Sequence, residues 1–183
     1  MKMFSLVLPC YNEGDNINSL LNSVTKIKKN EKDLEIIIVE NGSTDNSLVK
    51  IKDHESYTNN LITLVEIEKN LGYGHGIMTG LHKTTGEYIG WCHGDLQNNL
   101  DDINNIFKQN YNELEKNNEI IKGKRKNRSF FDNFFTFCMS AVASIIFLRL
   151  INDINAQPKI FSNKFRNYLN DYPNDFSLDL YFL

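Results

Sequence analysis

The sequence has 183 residues, 41% hydrophobic and 23% charged, with a formal net charge of −3. That length suits one domain with a sizeable core, and the composition excludes disordered, collagen-like and coiled-coil classes. The slightly acidic balance argues against nucleic acid as a partner, which needs clustered Lys and Arg in surplus, and the scattered Cys10, Cys92 and Cys138 offer neither a zinc spacing nor a disulfide framework.

Phe4 to Leu8 predicts a short apolar strand ended by Pro9, too short for a signal peptide. Helical spacing follows from about Asn16, with Ile17, Leu20, Leu21 and Val24 on one face. Leu34 to Val39 is a run of β-branched residues with almost no alternation, as in a strand buried on both faces. Gly42 to Thr44 predicts a turn, Ser47 to Lys52 a helix, Leu61 to Ile67 a third strand, Gly72 to His82 a loop entering a helix, and Glu87 to Cys92 a fourth strand. Asp101 to Lys116 reads as a surface helix, and Ile120–Ile121 as a short strand before the basic loop Lys122–Arg128. Phe130 to Leu150 is apolar and approaches the roughly 20 residues that span a bilayer. Asp132, Asn133 and Arg149 interrupt it, so it is read as one long helix, or two, packed on the sheet or resting at a membrane surface.

Strands alternating with helices over short connections imply parallel pairing and an α/β sheet with helices on both faces. Ligands of such sheets sit beyond the carboxyl ends of the strands, where Tyr11–Glu13, Glu40–Asp45 and His93–Gln97 should converge. Each cluster also has a plain structural reading. Asn12 or Asp15 could cap the first helix, and Glu40–Asp45 could be an Asx-rich turn before a capped helix. Asn70–Gly76 has the glycines of a phosphate loop without the dinucleotide spacing.

In order and spacing, Val7-Leu-Pro-Cys-Tyr-Asn-Glu13, Ile37-Ile-Val-Glu-Asn-Gly-Ser-Thr-Asp45, Asn70-Leu-Gly-Tyr-Gly74, Gly86-Glu-Tyr-Ile89 and Gly94-Asp-Leu-Gln97 resemble the inverting family-two glycosyltransferases of the GT-A fold, above all their polyprenyl-phosphate mannosyl- and glucosyltransferase branch. Weaker echoes lie at Lys122–Arg125 and Asp153–Phe161. The resemblance implies a GT-A-like, Rossmann-type, mostly parallel sheet in a single domain, with a nucleotide-binding half at about 1–100 and an acceptor-side half at about 101–183. Family members normally run on past the segment 176–183, so their C-terminal part is expected to be missing from these residues.

By the same resemblance Pro9, Tyr11 and Glu13 line the nucleotide site, and Val39 and Asn41 face the base. The family usually has Asp at positions 40 and 41; an Asn there still offers a carbonyl acceptor, but no charge. The family's metal motif, usually Asp-x-Asp, reads His93-Gly94-Asp95, so Asp95 and His93 are the candidate ligands of Mg²⁺ or Mn²⁺, with His93 favouring Mn²⁺. Gln97 is expected at sugar or phosphate, and Arg125 and Lys159 at phosphate groups of donor or acceptor. Asp153, and after it Asp179, are candidate general bases for a hydroxyl acceptor, whereas a lipid phosphate needs none. The implied reaction is transfer from a UDP- or GDP-sugar to a polyprenyl phosphate or another glycan, in cell-envelope glycan synthesis. The alternative is a catalytically reduced binding or scaffold protein on the same fold. The expected setting is cytoplasmic or peripheral at the cytoplasmic membrane face, with no nucleic acid and with a homodimer admitted.

Overall fold

Phe4, Leu6 and Leu8 alternate with Ser5 and Val7 along strand β1 (Phe4–Cys10), and all five are buried, so this strand has no solvent face. The computed structural model describes residues 3–93, 99–117, 120–123 and 130–182, the side chains of 117 and 130–135 excepted. Strands β2 (Leu34–Asn41), β3 (Thr63–Ile67), β4 (Tyr88–Trp91), β5 (Ile121–Lys122) and β6 (Lys159–Ser162) complete a six-stranded sheet of order β3-β2-β1-β4-β6-β5. The first four strands run parallel, and β6 is antiparallel to both β4 and β5. This is the mostly parallel sheet that the sequence implies.

Pro9 does not end β1. Pairing with β4 stops at Val7↔Trp91, whereas pairing with β2 runs on to Cys10↔Glu40. Beyond Val7 the strand therefore has a ladder on one side only, which is where a residue without an N–H is tolerated. Likewise β3 begins at Thr63 rather than Leu61, because the Leu61 N–H is taken by the Ser56 carbonyl at 2.8 Å.

The alternation divides the core in two. On one face Phe4, Leu6, Leu8, Ile36 and Ile38 meet Ile17, Leu20, Leu21 and Val24 of helix α1 (Ile17–Asn30) and Ile51 of α2 (Ser47–Asp53). The short helix α3 (Glu55–Thr58) follows α2. On the other face Val7, Ile37, Val39, Ile89 and Trp91 meet Ile77, Met78 and Leu81 of α4 (Tyr73–Leu81). Each such fully buried aliphatic side chain stabilises by about 1.5–3 kcal/mol, so the two faces together fix both flanking layers.

The segment expected as one surface helix is two, α5 (Leu100–Gln109) and α6 (Tyr111–Asn117), and it is not superficial. Leu100, Ile103 and Phe107 form a stripe at helical spacing that is buried in the first core, and Phe107 stacks on Phe4 with ring centroids 4.6 Å apart. Past Phe130 the chain forms one helix, α7 (Phe130–Phe147), and no helix among the described residues is long and apolar enough to cross a membrane. Nor do its described buried residues pack on the sheet. Ala143 joins Ile151, Ile154 and Leu180 in a small separate cluster, while Ser140 and Ser144 accept the Asp153 and Ile151 N–H groups at 3.2 and 2.9 Å. A 3-10 helix (Asn163–Tyr168) and α8 (Leu178–Tyr181) follow, and α8 returns Leu178 and Phe182 to the second core.

Candidate active site

The register Cys10↔Glu40 sets the loops after β1 and β2 side by side at the carboxyl edge of the sheet. Polar side chains then lock them together. The Asn12 N–H donates to Ser43 Oγ at 3.0 Å, and Asn12 Oδ1 accepts the Thr44 N–H at 2.8 Å. Asp45 Oδ2 accepts the Gly14 N–H at 2.9 Å, and Lys50 Nζ donates to the Gly14 carbonyl at 2.6 Å. Asn12 sits at φ 54°, in the left-handed region that Asn tolerates better than most residues. Neither Asn12 nor Asp15 caps α1. The Glu13 carbonyl takes the Asn16 and Ile17 N–H groups, and the Glu13 carboxylate takes the Asn16 amide at 3.1 Å.

The Asx turn of the second loop forms, but Asn46 at the N-cap of α2 makes no side-chain capping bond. Asp45 Oδ1 accepts from the Ser47 N–H at 2.9 Å and the Ser47 hydroxyl at 2.5 Å. The hydroxyl bond, helped by the Ser47 and Gly14 N–H groups, keeps the Asp45 carboxyl below its ordinary range. Glu40 Oε1 closes the turn by accepting the Ser43 N–H at 2.7 Å. Tyr11 stands exposed at the lip of the two loops and Pro9 is half-buried beside it. Cys10 beneath them is inert: burial pushes its thiol up, and Glu13 and Glu40 push it further.

At the end of β2, Asn41 is buried, with Nδ2 donating to the Gly72 carbonyl at 3.2 Å and Oδ1 without a hydrogen-bond partner. Val39 differs from the expectation. Strand alternation turns its side chain under α4, where a Cβ on Gly80 would meet Val39 Cγ2 at 2.6 Å, and it is completely buried. The glycines of Asn70–Gly76 do not build a phosphate loop either. Side chains at Gly72 and Gly74 would run into the backbone of Pro173–Asp175, and the His75 N–H donates to the Asn174 carbonyl at 3.2 Å. Main-chain oxygens thus occupy the start of α4, where an anion would otherwise sit.

His93 follows β4 directly and is half-buried, with its N–H donating to Gln157 Oε1 at 2.6 Å. Its ring lies 5.3 Å from that of Tyr73, which stacks on Phe176 at 4.7 Å. Gly94, Asp95, Gln97 and Arg125 lie outside the described residues. Among the described residues no three His, Cys, Asp or Glu side chains stand close enough to hold a metal. Of the two expected ligands only His93 lies among the described residues, and its imidazole is a donor that suits Mn²⁺ better than Mg²⁺.

On the acceptor side, Lys159 is neither a surface cation nor open to solvent. It is completely buried, its Nζ paired with Asp179 and donating to the Ile154 carbonyl at 3.0 Å, and it lies 5.4 Å from the centre of the Trp91 ring. Asp179, also buried, is committed to that pair. Asp153 is half-buried with φ 42°. Lys122 approaches it: burial lowers the Lys122 ammonium, while Asp153 and Asp179 act the other way. Tyr73 and Gln157, within the Asn70–Gly74 and Asp153–Phe161 segments, meet beside His93. Side by side in space but 84 residues apart in the chain, they leave no sequence signal of their own.

Four parallel strands, loops converging at their carboxyl ends and a returning antiparallel strand define an α/β domain of the GT-A glycosyltransferase fold. The fold is similar to that of glucosyl-3-phosphoglycerate synthase from Mycobacterium tuberculosis, solved with Mn²⁺, UDP-glucose and phosphoglyceric acid. The TM-score is 0.72 at 17% identity, covering 98% of this chain and 63% of the other. Residues 5–136 match glycosyl transferase family 2, and the chain belongs to that family. It is 28% identical over 132 residues to the undecaprenyl-phosphate 4-deoxy-4-formamido-L-arabinose transferase of Proteus mirabilis, covering 72% of this chain and 39% of the relative. It is 31% identical over 126 residues to the dodecaprenyl-phosphate galacturonate synthase of Rhizobium johnstonii, covering 68% of this chain and 36% of the relative. The chain therefore spans less than half the length of these curated relatives.

Proposed function

We propose that this chain is the catalytic domain of an inverting glycosyltransferase that moves a sugar from a UDP- or GDP-sugar to a polyprenyl phosphate. The observation that carries the reading is the interlocking of the Pro9–Glu13 and Glu40–Asp45 loops at the sheet edge that also ends in His93. The names of the curated relatives, both built on a polyprenyl phosphate, support the acceptor class. Residues at about 1–100 then serve the donor and those at about 101–183 the acceptor.

In this reading Pro9, Tyr11 and Glu13 line the nucleotide, and the unpartnered Asn41 Oδ1 accepts a base N–H. His93 and Asp95, with the donor diphosphate, would hold Mn²⁺ or Mg²⁺; when bound, the ion stabilises the charge that grows on the departing diphosphate. Gln97 and Arg125 serve sugar and phosphate. The acceptor phosphate oxygen attacks the anomeric carbon as the bond to the nucleoside diphosphate breaks, with inversion. Because that oxygen is already anionic, no proton is removed, and Asp153 is called on as base only for a hydroxyl acceptor.

Presentation of a lipid acceptor fits helix α7. Phe137, Val142, Ile145 and Ile146 are exposed along it, Leu148 and Leu150 follow with 90% and 95% exposure, and the cation run Lys122–Arg128 precedes it in sequence. An apolar helix that follows clustered cations in the sequence suits docking at an anionic membrane surface. Purified chain, a panel of UDP- and GDP-sugars, Mn²⁺ and a short polyprenyl phosphate test the proposal. Transfer that depends on the lipid phosphate is the expected result. Transfer to a hydroxyl acceptor alone would overturn the acceptor class, and absence of nucleotide binding would overturn the donor site.

A further inference from the structure

Behind His93 lies a chain of hydrogen bonds for which the transfer reaction itself has no use. Lys159, with no solvent exposure, pairs with Asp179 on α8. Asp179 Oδ2 accepts the Tyr73 hydroxyl at 3.4 Å. The Gln157 Nε2 amide donates to that same hydroxyl oxygen, and Gln157 Oε1 accepts the His93 N–H at 2.6 Å. Four elements distant in sequence thus meet in one line that ends on the main chain two residues before Asp95.

The direction of every bond in the line follows from its buried end. A carboxylate paired with an ammonium only accepts, so the Tyr73 hydroxyl must spend its proton on Asp179. The tyrosine oxygen is then left as an acceptor and takes the Gln157 NH₂. That fixes the amide rotamer, so the Gln157 carbonyl faces His93 and can only accept its N–H. The Tyr73 ring has little freedom to break the line, held between Phe176 at 4.7 Å and His93 at 5.3 Å. The pair at the far end is equally fixed, since separating two buried opposite charges is costly.

We propose that the Lys159–Asp179–Tyr73–Gln157 line is a positioning device that sets where the His93 main chain stands, and that Asp179 and Lys159 act as positioning residues rather than as base and phosphate ligand. The inference rests on reading His93 and Asp95 as the diphosphate end of the donor site. It assigns a function to Tyr73, the first residue of the helix whose start is closed by Pro173–Asp175.

Tyr73→Phe removes one hydroxyl and keeps both ring contacts; Gln157→Leu removes the acceptor of the His93 N–H. Amide hydrogen exchange of the whole chain, followed by mass spectrometry on the peptide covering residues 92–98, reads the segment directly. Exchange there should rise about threefold to tenfold in Tyr73→Phe and at least as much in Gln157→Leu, the loss expected for one hydrogen bond, with β1 and β2 unchanged. In parallel, the UDP dissociation constant measured with Mn²⁺ should rise at least about threefold, while that measured without metal stays put. Asp179→Asn removes a buried charge and so disturbs folding as well as the line, and the two milder variants carry the decision. Exchange at 92–98 that is unchanged, or raised equally across β1 and β2, overturns the positioning role. Wild-type chain that binds neither UDP nor GDP sinks the donor-site reading instead, and the exchange result still decides the line of bonds.

Discussion

Replacing Gly80 by alanine tests how closely α4 is seated on the sheet beneath the site. A Cβ at this position would lie 2.6 Å from Val39 Cγ2 and nearer still to Val7 Cγ1. Both valines are completely buried in β1 and β2, and a β-branched side chain has little rotamer freedom with which to give way. In a helix interior the exchange of glycine for alanine by itself favours folding by about 0.8–1 kcal/mol. Forcing a methyl into a filled interface costs about 1–3 kcal/mol, so the balance should fall on the destabilising side by up to about 2 kcal/mol. In a domain of this size that corresponds to a melting temperature lower by up to roughly 8 °C. Thermal and urea unfolding followed by circular dichroism measure it. Val39→Ala made in the same chain removes one of the clashing methyl pairs and should recover at least about 0.5 kcal/mol of the loss as a coupling term. A rise in melting temperature for Gly80→Ala, which helix propensity alone would give, refutes the close seating of α4.

Asn41→Ala, which removes the buried Oδ1, should weaken UDP or GDP binding about tenfold by calorimetry; unchanged affinity would take Asn41 out of the base site. His93→Asp should shift metal preference in nucleotide binding from Mn²⁺ towards Mg²⁺, read by titrating UDP against each ion, because a carboxylate is the harder ligand. Asp45 has a lower pKa folded than unfolded, so its stabilising effect is complete above the ordinary carboxylate value of about 3.9 and is lost as the pH falls through its folded value. Thermal scans from pH 6 to 2.5 should accordingly show a steeper acid decline for the wild type than for Asp45→Asn. Ile145→Glu with Ile146→Glu, at 73% and 67% exposure, should leave the melting temperature unchanged and abolish co-sedimentation with anionic vesicles. Retained vesicle binding would remove α7 from the membrane surface.

The parallel sheet was legible because β1, β2 and β4 are buried on both faces and so spell apolar runs, as at Leu34–Val39, while α1 spells its single buried face in Ile17, Leu20, Leu21 and Val24. Strand ends were less legible, since where β1 stops depends on how far β4 reaches along it. The loops of the site were visible as polar clusters after strands. Their locking through Asn12, Ser43 and Asp45 was not, because each bond joins residues about thirty positions apart.

Sequence alone determined the residue types at the sheet edge and the order in which the strands deliver them, since burial period and turn chemistry are local properties of the chain. Only the tertiary structure decided which way Val39 points, that Asn174 rather than an anion meets the start of α4, and that Lys159 is sealed inside against Asp179. A lysine in a sequence carries no mark of its burial. Its environment is set by the nearby Ile154 carbonyl and by Trp91 and Asp179, which come from distant parts of the chain and meet it only through long-range packing.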